Sequence, residues 1–287
     1  MSDGPTFSIV TPSFRSGAWL RQCIASVADQ GVSVEHLVQD AGSDDGTQEW
    51  LPRDPRVRAV IEKDRGMYDA INRGLRRAGG RLLAYLNADE QYLPGALARV
   101  ERFFAEHPAV EVVFADVIVV GPDGGYVCDR RASLPTRWHS LVSGNLAILT
   151  AATFFRRSLL DRHGLFFDDT RRTLADALWV LELLDRGVPM AVLPEFTTVF
   201  TDTGANLGLS PVAQREREDL MGRAPGWVRA GRHLVVAAYR YRRWRAGHYR
   251  RRPSYAYAIY TQASRDRRVT FQVERPVARW RRVPAGG

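Results

Sequence analysis

"RLLAYLNADEQYLPG", Arg81 to Gly95, is the stretch on which the architecture turns. Leu82 to Leu86 carry no charge, as a strand covered on both faces requires, yet the run stops on Asn87, Ala88, Asp89 and Glu90. A simple turn needs only Asn or Asp, whose short side chains satisfy nearby backbone donors. Two adjacent carboxylates at the mouth of a buried strand repel each other, and a divalent cation held by oxygen ligands relieves that repulsion most directly.

The surrounding sequence repeats one pattern. "FSIVTPS" (7–13), "VEHLVQD" (34–40) and "VRAVIEK" (57–63) read as strands, with "RLLAYLN" as the fourth. Between them lies "GAWLRQCIASVADQ" (17–30), a helix that sets Trp19, Leu20, Cys23, Ile24 and Val27 on one face. "GSDDGTQEWL" (42–51) starts another with Ser43 to Asp45 as caps, and "GMYDAINRGLRRA" (66–78) is a third. "PGALARVERFFAEH" (94–107) opens with Pro in its first turn, where a missing N–H costs nothing. Strand, helix, strand, helix implies an α/β fold with a mostly parallel sheet wound by right-handed crossovers.

In open sheets of this kind ligands bind beyond the carboxyl ends of the strands. That rule gathers Thr11, Pro12 and Ser13, then Asp40 with Gly42 and Ser43, then Asp64 and Arg65, then Asn87, Asp89 and Glu90 at one edge. Asp40 is read as a ligand contact, with a cap of the next turn as its plainer role. Asp69 and Asn72 share a helix face and are expected to be solvated or helix-supporting, whereas Tyr68 and Trp50 suit the core.

After residue 108 the alternation loosens. "VEVVFADVIVVGPDGGYVCDRR" (110–131) predicts a hairpin, and "TFFRRSLLDRHG" (153–164) predicts a strand leading into a helix. "TLADALWVLELLDRG" (173–187) predicts a helix, and "VPMAVLPEFTTVF" (188–200) a last strand.

Taken in order, these motifs resemble the family 2 glycosyltransferases, inverting enzymes of the GT-A fold, over about residues 6–206. The resemblance rests on "SIVTPSFRSGAWLRQCIASVADQ", "HLVQDAGSDDGT" and "EKDRGMYDAINRGLRRAGGRLLAYLNADE". It implies a nucleotide-sugar donor with Asp40 on the base, uracil in the best-known members, and Thr11, Pro12 and Ser13 lining base and ribose. Asp64, Arg65 and Gly66 would meet the nucleotide on its other side, Gly66 through close backbone approach. Asn87 and Ala88 occupy the start of an Asp-x-Asp-type motif, and Asp89 matches its ligand to Mg²⁺ or Mn²⁺. Glu90 is a second candidate ligand, standing where a second Asp is common. Asp176 in "TLADALWVLELL" matches the general base that takes the acceptor hydroxyl's proton. Two further features bear on the resemblance. Thr150 and Ala151 precede "ATFFRR" where His-Gln is frequent, and "TDTGANLG" (201–208) resembles a segment that closes over the donor. The acceptor would be a glycan or a polyprenyl-linked sugar in cell-surface glycan synthesis.

Residues 1–222 are expected to form the transferase domain, with 1–108 as the nucleotide and metal half and 109–222 as the acceptor half. Residues 223–287 are expected to be a basic, helical extension. From Arg223 onward 17 Arg stand against Asp266 and Glu274, so the tail carries +15 of a net +9 and leaves −6 for residues 1–222. Drawn as a helix, it puts Trp227, Val228, Leu234, Val235 and Ala238 opposite Arg229, Arg232, Arg240 and Arg243, which suits an anionic membrane face through residues 227–252.

Cys23 and Cys128 have neither disulfide-framework nor zinc spacing, and "MSDGPTFSIV" lacks a secretory pattern, so a cytoplasmic protein, peripheral on the inner face of the membrane, is expected. A retaining transferase or a nucleotidyltransferase on a similar sheet is the other enzymatic reading, although "TPSFRSGAW" is a poor nucleotidyltransferase loop. A nucleic-acid-binding protein would leave the paired acids without purpose, and no nucleic-acid partner is expected.

Overall fold

A computed structural model of the 287-residue chain describes residues 4–280 apart from 145, 147 and 205, with backbone only at 209. The first half runs β1 (Phe7–Ser13), α1 (Gly17–Ala28), β2 (Val34–Asp40), α2 (Thr47–Trp50), β3 (Arg58–Ile61), α3 (Met67–Arg77), β4 (Leu82–Tyr85), β5 (Gln91–Tyr92) and α4 (Ala96–Glu106). The second continues with β6 (Val112–Val120), β7 (Tyr126–Arg130), α5 (Arg137–Ser143), β8 (Thr153–Arg156), α6 (Ser158–His163), α7 (Ala175–Asp185) and β9 (Met190–Thr201). The chain closes with α8 (Pro211–Gly222), α9 (Gly226–Ala230), α10 (Arg232–Arg245), β10 (Tyr255–Thr261) and β11 (Ser264–Val273).

Nine strands form the main sheet in the order β3-β2-β1-β4-β8-β6-β9-β5, with β7 paired to β6. β3, β2, β1 and β4 are parallel, as are β6 and β9, and β8 runs antiparallel between β4 and β6. The sheet is therefore mostly parallel, and the first four strands end together. β4 shows why it reads as continuously apolar. Leu83 and Tyr85 face α3, α6 and α7, while Leu82, Ala84 and the following Leu86 face α1 and α4. With both faces covered, neither side tolerates a polar residue. Gly74 lets α3 lie tightly on β1, since a Cβ there would stand 2.4 Å from Val10 Cγ1.

The C-terminal segment is more than a helical extension. After α9 and α10 it folds into the antiparallel hairpin β10–β11, so the strand expected to be last is followed by two more. Tyr257, Ile259 and Val273 share an apolar cluster with Leu93, Ile118, Val120 and Val199 of the main sheet. Gln91, on the edge strand β5, uses its side-chain amide as a backbone substitute: Nε2 donates to Tyr260 O (2.9 Å), and Oε1 accepts from Tyr260 N (2.9 Å). Arg252 fixes the docking. Its guanidinium bonds the buried Asp116 in the middle of β6, lies near Asp129, and sits 4.1 Å above the Phe196 ring.

Removing one partner of a buried ion pair leaves an uncompensated charge, at a cost of roughly 3–5 kcal/mol. Arg252→Met is therefore expected to lower unfolding stability by about 3 kcal/mol, read from the urea midpoint. An unchanged midpoint would show that Asp116 does not depend on this partner.

Candidate active site

The loops after β1 and β2 are laced together. Asp40 is fully buried at the end of β2, and its four lone pairs are occupied: Oδ1 accepts from Gly42 N (3.0 Å) and Ser43 N (2.7 Å), and Oδ2 from Ser13 Oγ (2.9 Å) and Ser43 Oγ (2.7 Å). Ser43 is thus tied to Asp40 and does not cap α2, whereas Asp45 does bond Thr47 N (3.2 Å). Arg15 reaches Asp44 with two guanidinium nitrogens (2.6 and 2.7 Å). Thr11 lies at the expected strand end, but its buried hydroxyl is engaged inside the sheet, 2.9 Å from His36 Nε2. Burial lowers the His36 pKa to about 3, so its ring is neutral.

Asp64, Arg65 and Gly66 form the turn into α3. Asp64 Oδ1 accepts from Gly66 N (2.9 Å), and burial raises its pKa above the usual carboxylate range. Gly66 has φ +136, which explains the glycine better than close packing does, because a Cβ at this position would meet only the flexible side chain of Arg172. Arg65 pairs with Asp169 (2.7 Å) across the two halves of the chain. Asp69 and Asn72 are not solvated. Asp69 is held by Arg65 N and by Arg73 (2.9 Å each); burial works to raise its pKa, but these donors bring it down to about 2. Asn72 grips Phe167, donating to its O (2.7 Å) and accepting from its N (3.0 Å).

At the end of β4, Asn87 N donates to Glu90 Oε2 (2.8 Å), which turns the Glu90 carboxylate back into the turn, 1% exposed. Its position is spent on the backbone. Burial first, and the neighbouring Asp89 second, raise its pKa; burial also raises that of Asp89. Asp89 keeps part of its surface open, has no ion-pair partner among the described residues, and is steadied through its backbone O by Thr201 Oγ1 (2.5 Å). Asn87 Oδ1 is buried without a hydrogen-bond partner. One open carboxylate beside an orphaned acceptor fits a cation that takes its other ligands from phosphate and water, as Mg²⁺-type ions do. A protein-only cage does not fit, because no cluster of three His, Cys, Asp or Glu side chains stands ready among the described residues.

Asp176 sits in the first turn of α7, with Oδ1 accepting from Ala177 N (2.8 Å). Burial raises its pKa to about 6, against the Ala177 N–H and the Tyr68 hydroxyl, which favour the carboxylate; the charge of Glu216 adds to the rise. Tyr68 is core, as expected, and its hydroxyl also donates to Thr173 O (3.0 Å). Tyr85, at the end of β4, is buried within electrostatic reach of both Asp176 and Glu90 and hydrogen-bonds Thr150. The acid of α7 and the acids after β4 therefore converge on one edge, with Tyr85 between them.

One participant escapes sequence reasoning. Glu216 of α8 clasps the chain just ahead of α7, accepting from Arg172 N (2.8 Å), Thr173 N (3.0 Å), Leu174 N (3.0 Å) and Thr173 Oγ1 (2.8 Å). In "REREDL" it looks like any solvated helix charge. Thr150, which the sequence marks as standing where His-Gln is frequent, hydrogen-bonds Tyr85.

Comparison with known proteins agrees with this geometry. The model of "Glycosyl transferase family 2" matches residues 8–164. The PGL/p-HBAD biosynthesis glycosyltransferase of Mycobacterium tuberculosis (strain ATCC 25618 / H37Rv) is 30% identical over 252 residues, covering 84% of this chain and 91% of the relative. The minor teichoic acid biosynthesis protein GgaA of Bacillus subtilis is 26% identical over 192 residues, 62% of this chain and 43% of that protein. In structure, S. aureus TarS 1-349 in complex with UDP-GlcNAc superposes with a TM-score of 0.59 at 16% identity, over 75% of this chain and 64% of that one. The chain spans 42% of the longer TarS chain. A mannosyltransferase from Pyrobaculum calidifontis in complex with GDP-Man and Mn²⁺ gives a TM-score of 0.52 at 17% identity, over 83% of this chain and 75% of that one. Strand order, converging acids and kinship point the same way: the chain belongs to glycosyl transferase family 2 and has the GT-A fold.

Proposed function

We propose that this glycosyltransferase inverts the anomeric centre of a nucleoside-diphosphate sugar, with UDP favoured, and passes the sugar to a hydroxyl of a glycan or polyprenyl-linked acceptor in cell-surface glycan synthesis. The observation that carries this reading is that Tyr85, at the end of β4, lies within electrostatic reach of both Asp176 and Glu90, so the acid of α7 faces the turn that carries Asp89. The UDP-GlcNAc complex of TarS favours UDP, and the names of the mycobacterial and Bacillus relatives favour a cell-surface product. The free, buried thiols Cys23 and Cys128 suit the reducing cytoplasm.

In this reading residues 1–108 hold the donor and 109–222 the acceptor. Pro12 and Ser13, the Asp40 turn and the Asp64–Gly66 turn frame the nucleotide. With all four Asp40 lone pairs in use, its contact with the base is accepted by turning one of the two serine hydroxyls away. Asp89, with Asn87 and Ala88 shaping its turn, would hold Mg²⁺ or Mn²⁺ against the diphosphate. When bound, that ion supplies Lewis-acid neutralisation of the departing charge. Asp176 takes the proton of the acceptor hydroxyl as that oxygen attacks the face opposite the diphosphate. A carboxyl whose pKa is near 6 is ionised at neutral pH yet more basic than an ordinary Asp, as the role demands.

UDP with Mn²⁺ should raise the melting temperature of the wild type by mass action. Asp89→Ala should lose most of that rise, and a full rise in the variant rejects the metal assignment. Asp176→Asn should keep the rise while losing turnover by about 10²-fold or more. Its stability offers a separate check. The folded pKa is raised, so stability linked to Asp176 is full below the unfolded value and is lost as pH rises through about 6; at pH 7 Asp176→Asn should be no less stable than wild type. In the wild type, kcat/KM should fall as pH drops below about 6.

Glu216→Gln tests the clasp ahead of α7. Misplacing a catalytic group by a fraction of an ångström costs roughly tenfold or more in kcat, with little effect on donor KM. Removing the negative charge should also move the acid limb of the pH profile to lower pH. An unmoved limb with unchanged kcat would leave Glu216 a merely structural tie.

A further inference from the structure

The four most exposed large apolar side chains of the described chain are Leu234 (76%), Trp227 (67%), Trp244 (63%) and Tyr241 (56%), and all four lie on α9 and α10. They are not left over from folding against the core. α10 uses its inner line for that purpose: Tyr239 stacks on His139 of α5 at 3.6 Å, and Val235 joins the cluster built on Leu141 and Val228. A helical projection of the sequence groups Leu234 with Val235, but the structure turns Val235 inward and leaves Leu234 outside.

The outer line runs Leu234, Ala237, Ala238, Tyr241 and Trp244, at the three-and-four spacing that keeps residues on one helix face. Tyr241 and Trp244 stack at 5.9 Å. Helical spacing places Arg240 on one flank of this strip and Arg242 on the other, with Arg245 closing the strip at the end of the helix. Nine arginines and no acid occupy Gly226 to Arg252. Among the described residues, Arg240, Arg242, Arg245, Arg250 and Arg251 have no carboxylate partner, in contrast to Arg252, which is tied to Asp116. The helix thus offers solvent an apolar, aromatic centre bordered by unneutralised cations.

We propose that the outward face of α9 and α10 docks on an anionic phospholipid bilayer. Charge complementarity selects the surface: the arginines repel one another in water and are neutralised by lipid phosphates. The apolar strip selects a bilayer over a nucleic acid. Phosphodiesters would satisfy the arginines but leave Leu234, Ala237 and Ala238 in water, whereas the headgroup boundary takes both, with Trp and Tyr at the level where amphipathic rings settle. No helix among the described residues is long and apolar enough to cross a membrane, so the contact is one of lying on the surface. The inference is independent of the roles given to Asp89 and Asp176.

The test is co-sedimentation of the full chain with vesicles of phosphatidylcholine, with and without phosphatidylglycerol. Binding should need the anionic lipid, weaken with salt and shift tryptophan emission to the blue. The double variant Leu234→Ser/Trp244→Ser and, separately, Arg240→Glu/Arg245→Glu should each weaken binding by about tenfold or more. Because these side chains are exposed, circular dichroism and melting temperature should match wild type, and single substitutions serve if either double variant does not fold. Equal binding to neutral vesicles, wild-type binding by both variants, or a salt-sensitive DNA shift without vesicle binding would each overturn the proposal.

Discussion

The site depends on how α3 holds the chain ahead of α7. Asn72 grips both backbone groups of Phe167, Tyr68 bonds Thr173 O, and Arg65 pairs with Asp169. Each bond starts in α3 or the turn ahead of it and ends in the segment that leads to Asp176. A buried amide that loses its partner costs about 1–3 kcal/mol, so this joint resists slippage, and the acid of α7 stays in register with the end of β4. Glu216 completes the hold from α8 by accepting from three backbone N–H donors. Phe167 packs against Tyr68, Tyr85 and Trp179, which makes the same joint the apolar floor beneath Asp176.

The chemistry rests on unequal treatment of the acids at one edge. Asp69 and Glu90 are consumed by backbone and side-chain donors, and the fold uses them as struts, while Asp40 is held by Gly42, Ser43 and Ser13. Asp89 and Asp176 retain open surface, and burial has raised the pKa of both. In the proposed mechanism that division separates carboxylates that shape the loops from those that meet metal and acceptor.

Much of this is legible in the sequence because the information is local. Each parallel strand of the first half is a short apolar run that ends in turn chemistry, so its carboxyl end, and hence the map from Thr11 to Asp89, follows from reading along the chain. What fails to show depends on distant partners. Glu216 and Thr173 lie 43 residues apart, so no pattern links them. Asn72 looks surface-bound because nothing nearby announces Phe167. Leu234 and Val235 fall together because a helical projection does not know where α5 will touch, and the hairpin of Tyr255 to Val273 is hidden behind the arginine count.

The bond between Gln91 and Tyr260 has a consequence for how the molecule is made. β5 is an end strand of the main sheet, and the cover over it is supplied by residues 169 positions further along the chain. Until they are made, the Gln91 side-chain amide has no Tyr260 to pair with and apolar Leu93 and Val199 lack their cover, and an uncovered sheet end of this kind recruits other chains. Removing the β10–β11 hairpin would therefore harm solubility before it harmed chemistry.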